Sequence, residues 1–519
     1  MHAFLLFILL PVITAASPNE HRVEMLKGIE SVPVLGTPGT MAVWGEHSFA
    51  VILGKDQSQP IAAASTFGDG RFFAIAHGSY VGGIKDGSAD LFMTQVVSWV
   101  SQKESPKIGT LTNNTKNWNE VDILLWGQNM QLSSGIEAKL LHWIDQGGGV
   151  IASACPWGWA QVTGKNLQTD LSQNRVMAKL GLQYGGNYAK GIGGSFQLKP
   201  IHDETNASIA LQAIETEGMC TLIGSGAVQY AVQLSPTFRK KVNAVIDADE
   251  LHGPSKNAPV KSGDVRRRLF VTNFSSDWTS LQVDKVVAAS GSDVFPGTVD
   301  ASFPRVREDL QLDSSVGGWQ STGMYVCPGE KLTIDIKSGS SDNWSIRIGC
   351  HKDTLWHKGT WTRWPAITHV KKLEQHLEIV TPWGGLVYFE SQKGASKLEV
   401  VISGIVKAPF FDVTGTSTDW KIERNNPAPW AEIKGHHMIL SVPSAAVRNL
   451  DNPEDVAKFW DTVVRSHCEL AGIEVPSRPE RFVADQQISA GYMHSGYPIM
   501  TGVDVATPKN GKLARVVDV

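Results

Sequence analysis

The stretch IEAKLLHWIDQGGGVIASA, residues Ile136 to Ala154, decides the fold of the N-terminal half of this chain. It begins with a helical segment from Ile136 to Ile144. Three glycines stop the helix, and the apolar run from Val150 follows at once. A helix that leads directly into a buried strand is typical of a parallel sheet with crossover helices. The stretch therefore predicts an α/β domain.

The same alternation extends in the N-terminal direction from this stretch. Apolar strand-like runs occur at Phe72 to Ala76 and at Ile123 to Trp126, and a helical pattern at Leu91 to Val100 separates them. Open α/β sheets place their sites where strands end in turns, so we expect any site of this domain at such an edge. We assign residues 17–290 to this α/β domain.

Residues 291–408 have a different sequence pattern. Short alternating runs are broken by Gly, Pro and Asp-Asn, a pattern typical of a β-sandwich. Residues 289–304, rich in Ser, Gly and Pro, are expected to be a linker ahead of this sandwich. The predicted strands are Leu332 to Ile336, Trp344 to Ile348, Leu386 to Phe389 and Leu398 to Ile402.

Residues 409–519 form a third segment. A strand is predicted at Met438 to Val442 and a helix at Asp451 to Leu470, with Pro453 and Gly472 as its start and stop signals. A strand-like run from Arg481 to Ile488 leads into a segment rich in Gly and Ser. Because the chain ends soon afterwards, we expect this third domain to be incomplete.

Composition limits the range of partners. The chain has 519 residues, 19% of them charged, and a formal net charge of -4. About three domains fit this length, and no field of one sign is available to hold nucleic acid. The one basic cluster, Arg266 to Arg268, is interpreted as the solvated entry to a strand from Leu269. We expect no transmembrane span, because no apolar run approaches the roughly 20 residues that a helix needs to cross a bilayer.

The first 16 residues are interpreted as a signal peptide. The apolar run from Phe4 to Ile13 is followed by the small residues Ala15 and Ala16. This predicts a secreted, extracellular protein; the alternative is a protein at the periphery of the plasma membrane. In a secreted protein, Asn-x-Ser/Thr sequons accept glycans. Four are present, at Asn113, Asn206, Asn273 and Asn343.

Five cysteines are too few for a disulfide scaffold. Cys327 and Cys350 are the best candidates for a bridge, because both fall in the predicted strand-rich segment. The alternative is that all five thiols are buried and inert.

The third segment resembles the opening half of the enhancin-like zinc metallopeptidase domain, peptidase family M-sixty. The resemblance rests on APWAEI (428–433), LSVPS (440–444), FWD (459–461) and above all ADQQISAGYMHSGYPIM (484–500). We call this last stretch the motif run. The family-motif residues within it are Asp485, Gln487, Ser489, Gly491, His494, Ser495, Gly496 and Tyr497.

Two further segments carry a resemblance. STGMY (321–325), RIGCH (347–351) and WGGLVY (383–388) are similar to the β-sandwich that precedes this peptidase domain. STFGDGR (65–71), AHGSY (76–80), VSW (97–99) and GGGV (147–150) resemble the glutamine-amidotransferase-like module of the channel-associated factors, which regulate a melastatin-type TRP cation channel. The implied architecture is an amidotransferase-like α/β domain, a β-sandwich and an incomplete metallopeptidase domain.

The resemblance implies zinc chemistry that this sequence does not provide. A zincin needs His-Glu-x-x-His on a helix, so that two imidazoles bind zinc and the Glu acts as base. No two of the 15 histidines lie four residues apart. We therefore expect no metal and no cofactor in this chain, with zinc only in a longer form. His494 is the most interesting histidine, and packing is the favoured role for it.

Cys155 is a second candidate for catalysis, because amidotransferase-like folds place a nucleophilic thiol on a turn that follows a buried strand. A nucleophile needs a base within reach, and His202 with Glu204 are the partners on offer. The glycines expected on both sides of such a thiol are missing, since Ala154 and Pro156 flank it. A structural role under Trp157 and Trp159 is therefore favoured.

Tryptophans indicate a possible binding surface. Residues 351–365, HKDTLWHKGTWTRWP, hold Trp356, Trp361 and Trp364 with basic residues between them; we call this segment the Trp loop. Exposed indole rings stack on sugars, whereas buried ones pack. The loop is a candidate glycan contact, and the alternative is that it packs on the missing half of the peptidase domain.

These observations favour a non-catalytic extracellular recognition protein. Its partner would be a membrane protein, such as a TRP-type cation channel, or a mucin-type glycoprotein. The competing hypothesis is a fragment of a secreted mucin-directed zinc metallopeptidase whose zinc helix lies beyond residue 519.

Overall fold

A computed structural model of the chain describes residues 16–246, 251–394, 396–415 and 419–506. The predicted signal segment lies outside these residues, apart from Ala16. Two compact units divide the chain between residues 248 and 249, and each is considered by itself.

The first unit is built around a six-stranded sheet in the order β3-β4-β5-β8-β7-β6. Two short antiparallel pairs, β1 with β10 and β2 with β9, accompany it. Its strands are β1 (Ser31–Pro33), β2 (Gly39–Val43), β3 (Ser48–Leu53), β4 (Pro60–Phe67), β5 (Gly70–Ile75), β6 (Ile108–Thr110), β7 (Ile123–Gly127), β8 (Gly149–Ser153), β9 (Leu182–Tyr188) and β10 (Ser195–Gln197). Its helices are α1 (Pro18–Met25), α2 (Leu91–Ser101), α3 (Ser134–Asp145), α4 (Pro156–Thr163), α5 (Ser172–Leu180), α6 (Ala207–Glu217), α7 (Leu222–Leu234) and α8 (Pro236–Val245).

The predicted α/β alternation is confirmed. Strands β5, β8, β7 and β6 are parallel, and alternate residues of the strands face opposite sides. Phe73 and Ile151 pack in one apolar cluster with Val96 of α2. On the other face, Val150 packs with Leu140 of α3. Two antiparallel strands, β3 and β4, extend the sheet beyond what the sequence pattern predicts.

The second unit contains two larger sheets. Its strands are β11 (Val260–Lys261), β12 (Val306–Leu312), β13 (Gly318–Val326), β14 (Lys331–Ser338), β15 (Trp344–Ile348), β16 (Thr360–Trp361), β17 (His369–Lys372), β18 (His376–Val380), β19 (Gly385–Ser391), β20 (Leu398–Lys407), β21 (Phe410–Asp412), β22 (Trp430–Lys434), β23 (Met438–Pro443), β24 (Glu480–Asp485), β25 (Met493–His494) and β26 (Ile499–Gly502). Its helices are α9 (Val265–Asp277), α10 (Trp420–Glu423) and α11 (Pro453–Ala471).

The segment predicted as a β-sandwich forms a curled, eight-stranded antiparallel sheet. The group β17-β15-β19-β13 and the group β12, β20, β14 and β18 are joined where β13 pairs with β20 at Met324 and Tyr325. The inner faces of both groups supply one apolar core, which includes Ile334, Ile346 and Phe389. All four predicted strands are confirmed, and the continuous pairing makes them one curled sheet.

The third segment forms a mixed sheet in the order β21-β22-β23-β24-β26-β25. Helix α11 packs on β22 and β23; Pro453 begins it and Gly472 caps it at φ +66°, as predicted. The outer face of the curled sheet shares a core with this mixed sheet, because Tyr325 and Tyr388 pack in one cluster with Leu440. The motif run starts at the end of β24, in the middle of the mixed sheet.

Three expectations for residues 251–304 differ from the structure. The run from Leu269 is part of helix α9, so the predicted strand there is wrong. Residues 251–290 lie in the second unit, although the proposed α/β domain extended to residue 290. The reason is packing: Trp278 and Ala289 share an apolar cluster with Trp364. Pro296 and Gly297 are buried too, so the expected linker is part of the folded unit.

Candidate functional site

The motif run and the Trp loop lie against each other in the second unit. The motif run continues from β24, whereas the Trp loop follows β15, and the residues that pair between the two segments lie more than 120 positions apart in the chain. Polar side chains of both segments make the direct contacts between them. The sequence-predicted residues of the two segments are thus brought together into one site.

A buried ion pair forms the centre of this site. Arg363 donates from Nε to Oδ1 of Asp485 and from Nη2 to Oδ2, both at 2.7 Å. Both side chains are fully buried. Two further guanidinium hydrogens bond the carbonyls of Trp364 and Asp353, and the amide of Gln487 donates to Asp485 Oδ1 at 3.1 Å. A buried charge is tolerated only when it is paired and hydrogen-bonded in this way.

Two glutamines of the motif run extend the contact along the Trp loop. The amide of Thr362 donates to Oε1 of Gln487 at 2.7 Å, and Gln487 Nε2 donates to the Thr360 carbonyl at 2.8 Å. Gln486 Nε2 donates to the Thr362 carbonyl at 2.5 Å. These bonds satisfy main-chain groups that strand pairing leaves free. They hold residues 360–362 of the Trp loop against the motif run.

Asp353, Ser489 and His494 form a third cluster in the site. His494 Nε2 lies 2.8 Å from Oδ2 of Asp353. The Ser489 amide donates to the same carboxylate oxygen at 2.6 Å. The hydrogen bond to Asp353 raises the pKa of His494. Burial alone would raise the pKa of Asp353, but hydrogen bonds from Ser489 and His494 outweigh burial and lower it.

This cluster does not have the geometry of a hydrolase triad. In such a triad one ring nitrogen of histidine faces serine and the other faces the carboxylate. Here the same atom, His494 Nε2, contacts both Asp353 and Ser489 Oγ, the latter at 3.1 Å. The other ring nitrogen, Nδ1, lies 3.1 Å from the Ser495 carbonyl. The cluster therefore tethers the motif run, in keeping with the packing role expected for His494.

Residues 491–497 of the motif run are exposed or only partly buried. The carbonyl of Tyr497 accepts from Lys352 Nζ at 2.6 Å. The Tyr497 ring lies 3.6 Å from the Arg478 guanidinium and 5.5 Å from the Trp319 ring. The remaining predicted residues of this segment are exposed, with positive φ at both glycines. They are Gly491, Ser495 and Gly496.

A second buried charge pair lies beside the site and has no counterpart in the sequence predictions. Arg481 on β24 pairs with Glu432 on β22, and both are buried. Ser441 and Tyr388 donate to Glu432 at 2.7 and 3.0 Å. Ser321 accepts from Arg481 at 3.1 Å. Only one indication of this pair is present in the sequence: Glu432 and Arg481 each place a charge within a strand-like run.

The expected glycan-binding tryptophans are mostly core residues. Trp361 and Trp364 are fully buried, and their indole N–H groups donate to the Leu355 and Ser290 carbonyls. The guanidinium of Arg268 lies 3.7 Å from the Trp361 ring. Only Trp356 is partly exposed, edge-on to Trp361. The three tryptophans of the loop therefore do not form an exposed aromatic stripe, and the loop packs on the motif run instead.

Cys155 lies where the sequence placed it, after β8 at the start of α4. Its amide donates to Oε1 of Gln128 at 2.6 Å. The two residues proposed as its catalytic partners make other hydrogen bonds. His202 Nδ1 accepts from the Glu204 amide, and the Glu204 carboxylate accepts from the Thr221 amide at 2.6 Å. The structure does not assemble a nucleophile and base from these three residues.

The disulfide prediction is wrong for this structure, in which all five cysteines are free. Cys327 and Cys350 do share one buried cluster. The Cys327 thiol faces the Arg305 guanidinium at 3.5 Å, and that of Cys350 faces the His351 ring. Burial raises the pKa of both thiols.

The four sequons differ in exposure. Asn113 and Asn343 are exposed. Asn206 is buried, and its side-chain nitrogen, the atom that a glycan would occupy, donates to the Gly45 and Ser48 carbonyls at 2.8 and 3.0 Å. Asn273 is 7% exposed on α9. The folded structure thus leaves two of the four predicted acceptors accessible.

The described residues offer no place for the zinc ion that the metallopeptidase resemblance implies. No three His, Cys, Asp or Glu side chains gather there in a way that could hold a metal ion. His351 packs against Trp430 with ring centroids 4.3 Å apart, and burial lowers its pKa to about 4. The main-chain amides of His436 and His437 bond the Asp461 carboxylate. Zinc therefore does not fit this part of the chain.

Three family models match the chain in the order of its segments. "TRPM8, N-terminal domain" matches residues 8–198 and begins inside the predicted signal segment. "N-terminal domain of M60-like peptidases" matches residues 302–403. "Peptidase M60, enhancin and enhancin-like" matches residues 404–510, which include the whole motif run.

Full-length comparisons give the same relationship. The chain is 28% identical to a TRPM8 channel-associated factor homolog of Danio rerio, and 27% identical to TRPM8 channel-associated factor 2 of Homo sapiens. Each match covers 92% of this chain. The chain is similar in sequence to the TRPM8 channel-associated factors over nearly its whole length. It spans 56% of the length of these two channel-associated factors.

Solved structures give a more distant likeness. The IMPa metallopeptidase from Pseudomonas aeruginosa has a TM-score of 0.38 and 14% identity, with 93% of this chain and 68% of that chain covered. The ZmpB metallopeptidase from Clostridium perfringens has a TM-score of 0.31 and 15% identity, with 38% and 49% covered. In the described part of this chain, none of the helices has the length and apolar character needed to cross a bilayer.

Proposed function

We propose that this chain is a non-catalytic recognition protein that binds a membrane protein, in the first place a TRP-type cation channel, or a glycoprotein. The main observation behind the proposal is the set of contacts that the motif run makes. Asp485, Gln487 and His494 all bond the Trp loop. These polar side chains of the M60-like segment thus hold two segments of the unit together, which supports a structural role for the motif run.

The relatives support a channel as partner. Their names associate them with the TRPM8 channel, and the alignments with them run through nearly all of this chain. A recognition role also needs no metal and no nucleophile, and the contacts of Cys155, His202 and Glu204 favour structural roles for all three.

The location of the protein is part of the proposal. A signal peptide over residues 1–16 would deliver the chain to the extracellular side, where Asn113 and Asn343 are exposed to accept glycans. Secretion from a eukaryotic cell line, with a mass decrease on glycosidase treatment, tests this part. Retention in the cytosol would instead fit binding at the inner periphery of the plasma membrane.

Binding is tested directly with the purified chain. Immobilised chain is titrated with detergent-solubilised TRPM8 channel, with an unrelated channel as control, and with a mucin-type glycoprotein before and after removal of its O-glycans. The proposal expects saturable binding of the TRPM8 channel or of the glycoprotein, with the glycoprotein left intact. Absence of binding to both would reject it.

The M60 family match supports a second candidate. A longer product of the same gene would carry the zinc helix and act as a mucin-directed metallopeptidase, with zinc as its cofactor. The genomic sequence after codon 519 distinguishes the two, because this candidate requires an in-frame His-Glu-x-x-His there.

A further inference from the structure

A cavity of about 70 Å³ lies in the first unit. It is bounded by the end of β3 with residues 54, 55 and 57, by residues 191–192, by β10 with residues 198–201, and by Arg22 of α1. About 10–15 Å³ of such volume holds one water molecule, so the cavity has room for several waters or for one small ligand group. Cys155 and its proposed partners do not line it.

The lining of the cavity carries positive charge alone. Arg22, Lys55 and Lys199 line it, and no Asp or Glu does. Among the residues that the structure describes, none of these three cations lies within ion-pair distance of a carboxylate, although ion pairs occur elsewhere in the same unit, as between Arg175 and Glu137. Three uncompensated cations around one cavity create a local field that attracts an anion.

Arg22 is held in position for this role. Helix α1 is fixed by a capping box between Ser17 and Glu20. The Arg22 guanidinium donates from Nη2 to the Lys199 carbonyl at 2.6 Å and from Nε to the Val51 carbonyl at 3.4 Å. Neither bond uses Nη1. Burial lowers the pKa of Arg22, with no nearby carboxylate to offset the lost hydration.

We infer that this cavity binds a small oxyanionic group, a carboxylate or a phosphate, with Arg22 as its main contact and Lys55 and Lys199 as supporting charges. The planar guanidinium group recognises oxygens of both anions through charge-assisted hydrogen bonds. Leu53 and Phe196 supply apolar walls for the group that carries the anion. This site belongs to the first unit and does not depend on the function proposed above.

The test is isothermal titration calorimetry of the full chain with inorganic phosphate, and separately with a short peptide that carries one glutamate. We expect the wild-type chain to bind at least one of the two. Arg22→Gln should weaken that binding about tenfold, and the double variant Lys55→Gln, Lys199→Gln should weaken it about threefold. The double variant changes only exposed side chains, so the test stands even if Arg22→Gln folds poorly.

Arg465→Gln is the matched control, because it also removes one positive charge from an exposed side chain, on α11. It should leave both titrations unchanged. Binding of phosphate alone assigns the site to a phosphate ligand, and binding of the peptide alone assigns it to a peptide carboxylate. The inference is overturned if neither probe binds up to about 10 mM, or if the cavity variants bind as tightly as Arg465→Gln.

Discussion

Arg363 and Asp485 lie 122 residues apart in the chain and form a bidentate ion pair with both N–O distances at 2.7 Å. Neither side chain is accessible to solvent. The pair joins the Trp loop to the start of the motif run, so it connects the segment after β15 to the centre of the mixed sheet. The predictions below start from this connection.

Removing one partner of this pair should destabilise the second unit strongly. Asp485→Asn leaves the Arg363 guanidinium buried without a counter-charge, and we expect a loss of about 3–5 kcal/mol in the free energy of unfolding. Urea denaturation followed by tryptophan fluorescence measures it. Glu378→Gln, which breaks the exposed pair with Lys331, is the control and should cost less than about 1 kcal/mol. Equal losses for the two variants would contradict the assigned role.

The cluster of Asp353 and His494 should make stability depend on pH. The pKa of His494 is raised above 6.5 by its bond to Asp353, so its contribution is complete below about pH 6.5 and is lost as the pH rises through the raised pKa. The pKa of Asp353 is lowered from 3.8, so this carboxylate stays charged over that range. Lys352, the neighbouring cation, opposes the shift.

The measurement for this cluster is the free energy of unfolding between pH 5.5 and pH 8.5. We expect the difference between the wild type and His494→Gln to shrink as the pH rises. The comparison cancels the titration of the other histidines. A difference that stays constant across this range would show that His494 does not bond Asp353 in solution.

The tryptophans of the Trp loop should act mainly through packing. Trp361→Ala removes a fully buried indole and should cost about 3–5 kcal/mol. Trp356→Ala, on the partly exposed neighbour, should cost clearly less. Thermal unfolding of both variants checks this order. A Trp361→Ala variant as stable as the wild type would mean that the loop is not held as the structure shows.

The thiols provide a direct test of the cysteine assignment. Because the structure has five free cysteines, titration with a thiol reagent in denaturant should count five thiols per chain. In the native protein the buried Cys327, Cys350 and Cys468 should react slowly, since reaction requires an accessible thiolate. A count of three would restore the predicted bridge between Cys327 and Cys350.

The sequence predicted those helices and strands whose formation depends mainly on residues close together in the chain. Helix α11 was predicted because its periodicity, its first proline and its final glycine agree. Helix α9 was missed because Leu269 to Phe274, with its β-branched and aromatic residues, reads as a strand. Packing of Val271 and Trp278 against Trp361 stabilises the helix instead.

The site was recognisable only in part, for a related reason. The motif run was identified as one continuous stretch, but its partner could not be found because the contacts to Arg363 and Asp353 join residues more than 120 positions apart. The burial of Trp361 and Trp364 was likewise invisible, because composition gives the number of indole rings and not their exposure.

The central claim is that this chain recognises a partner without cleaving it. The most direct test combines the zinc content of the purified chain with its activity on a mucin-type glycoprotein, with and without a chelator. The account predicts no stoichiometric zinc and an intact glycoprotein under both conditions. Stoichiometric zinc together with cleavage that the chelator abolishes would contradict it.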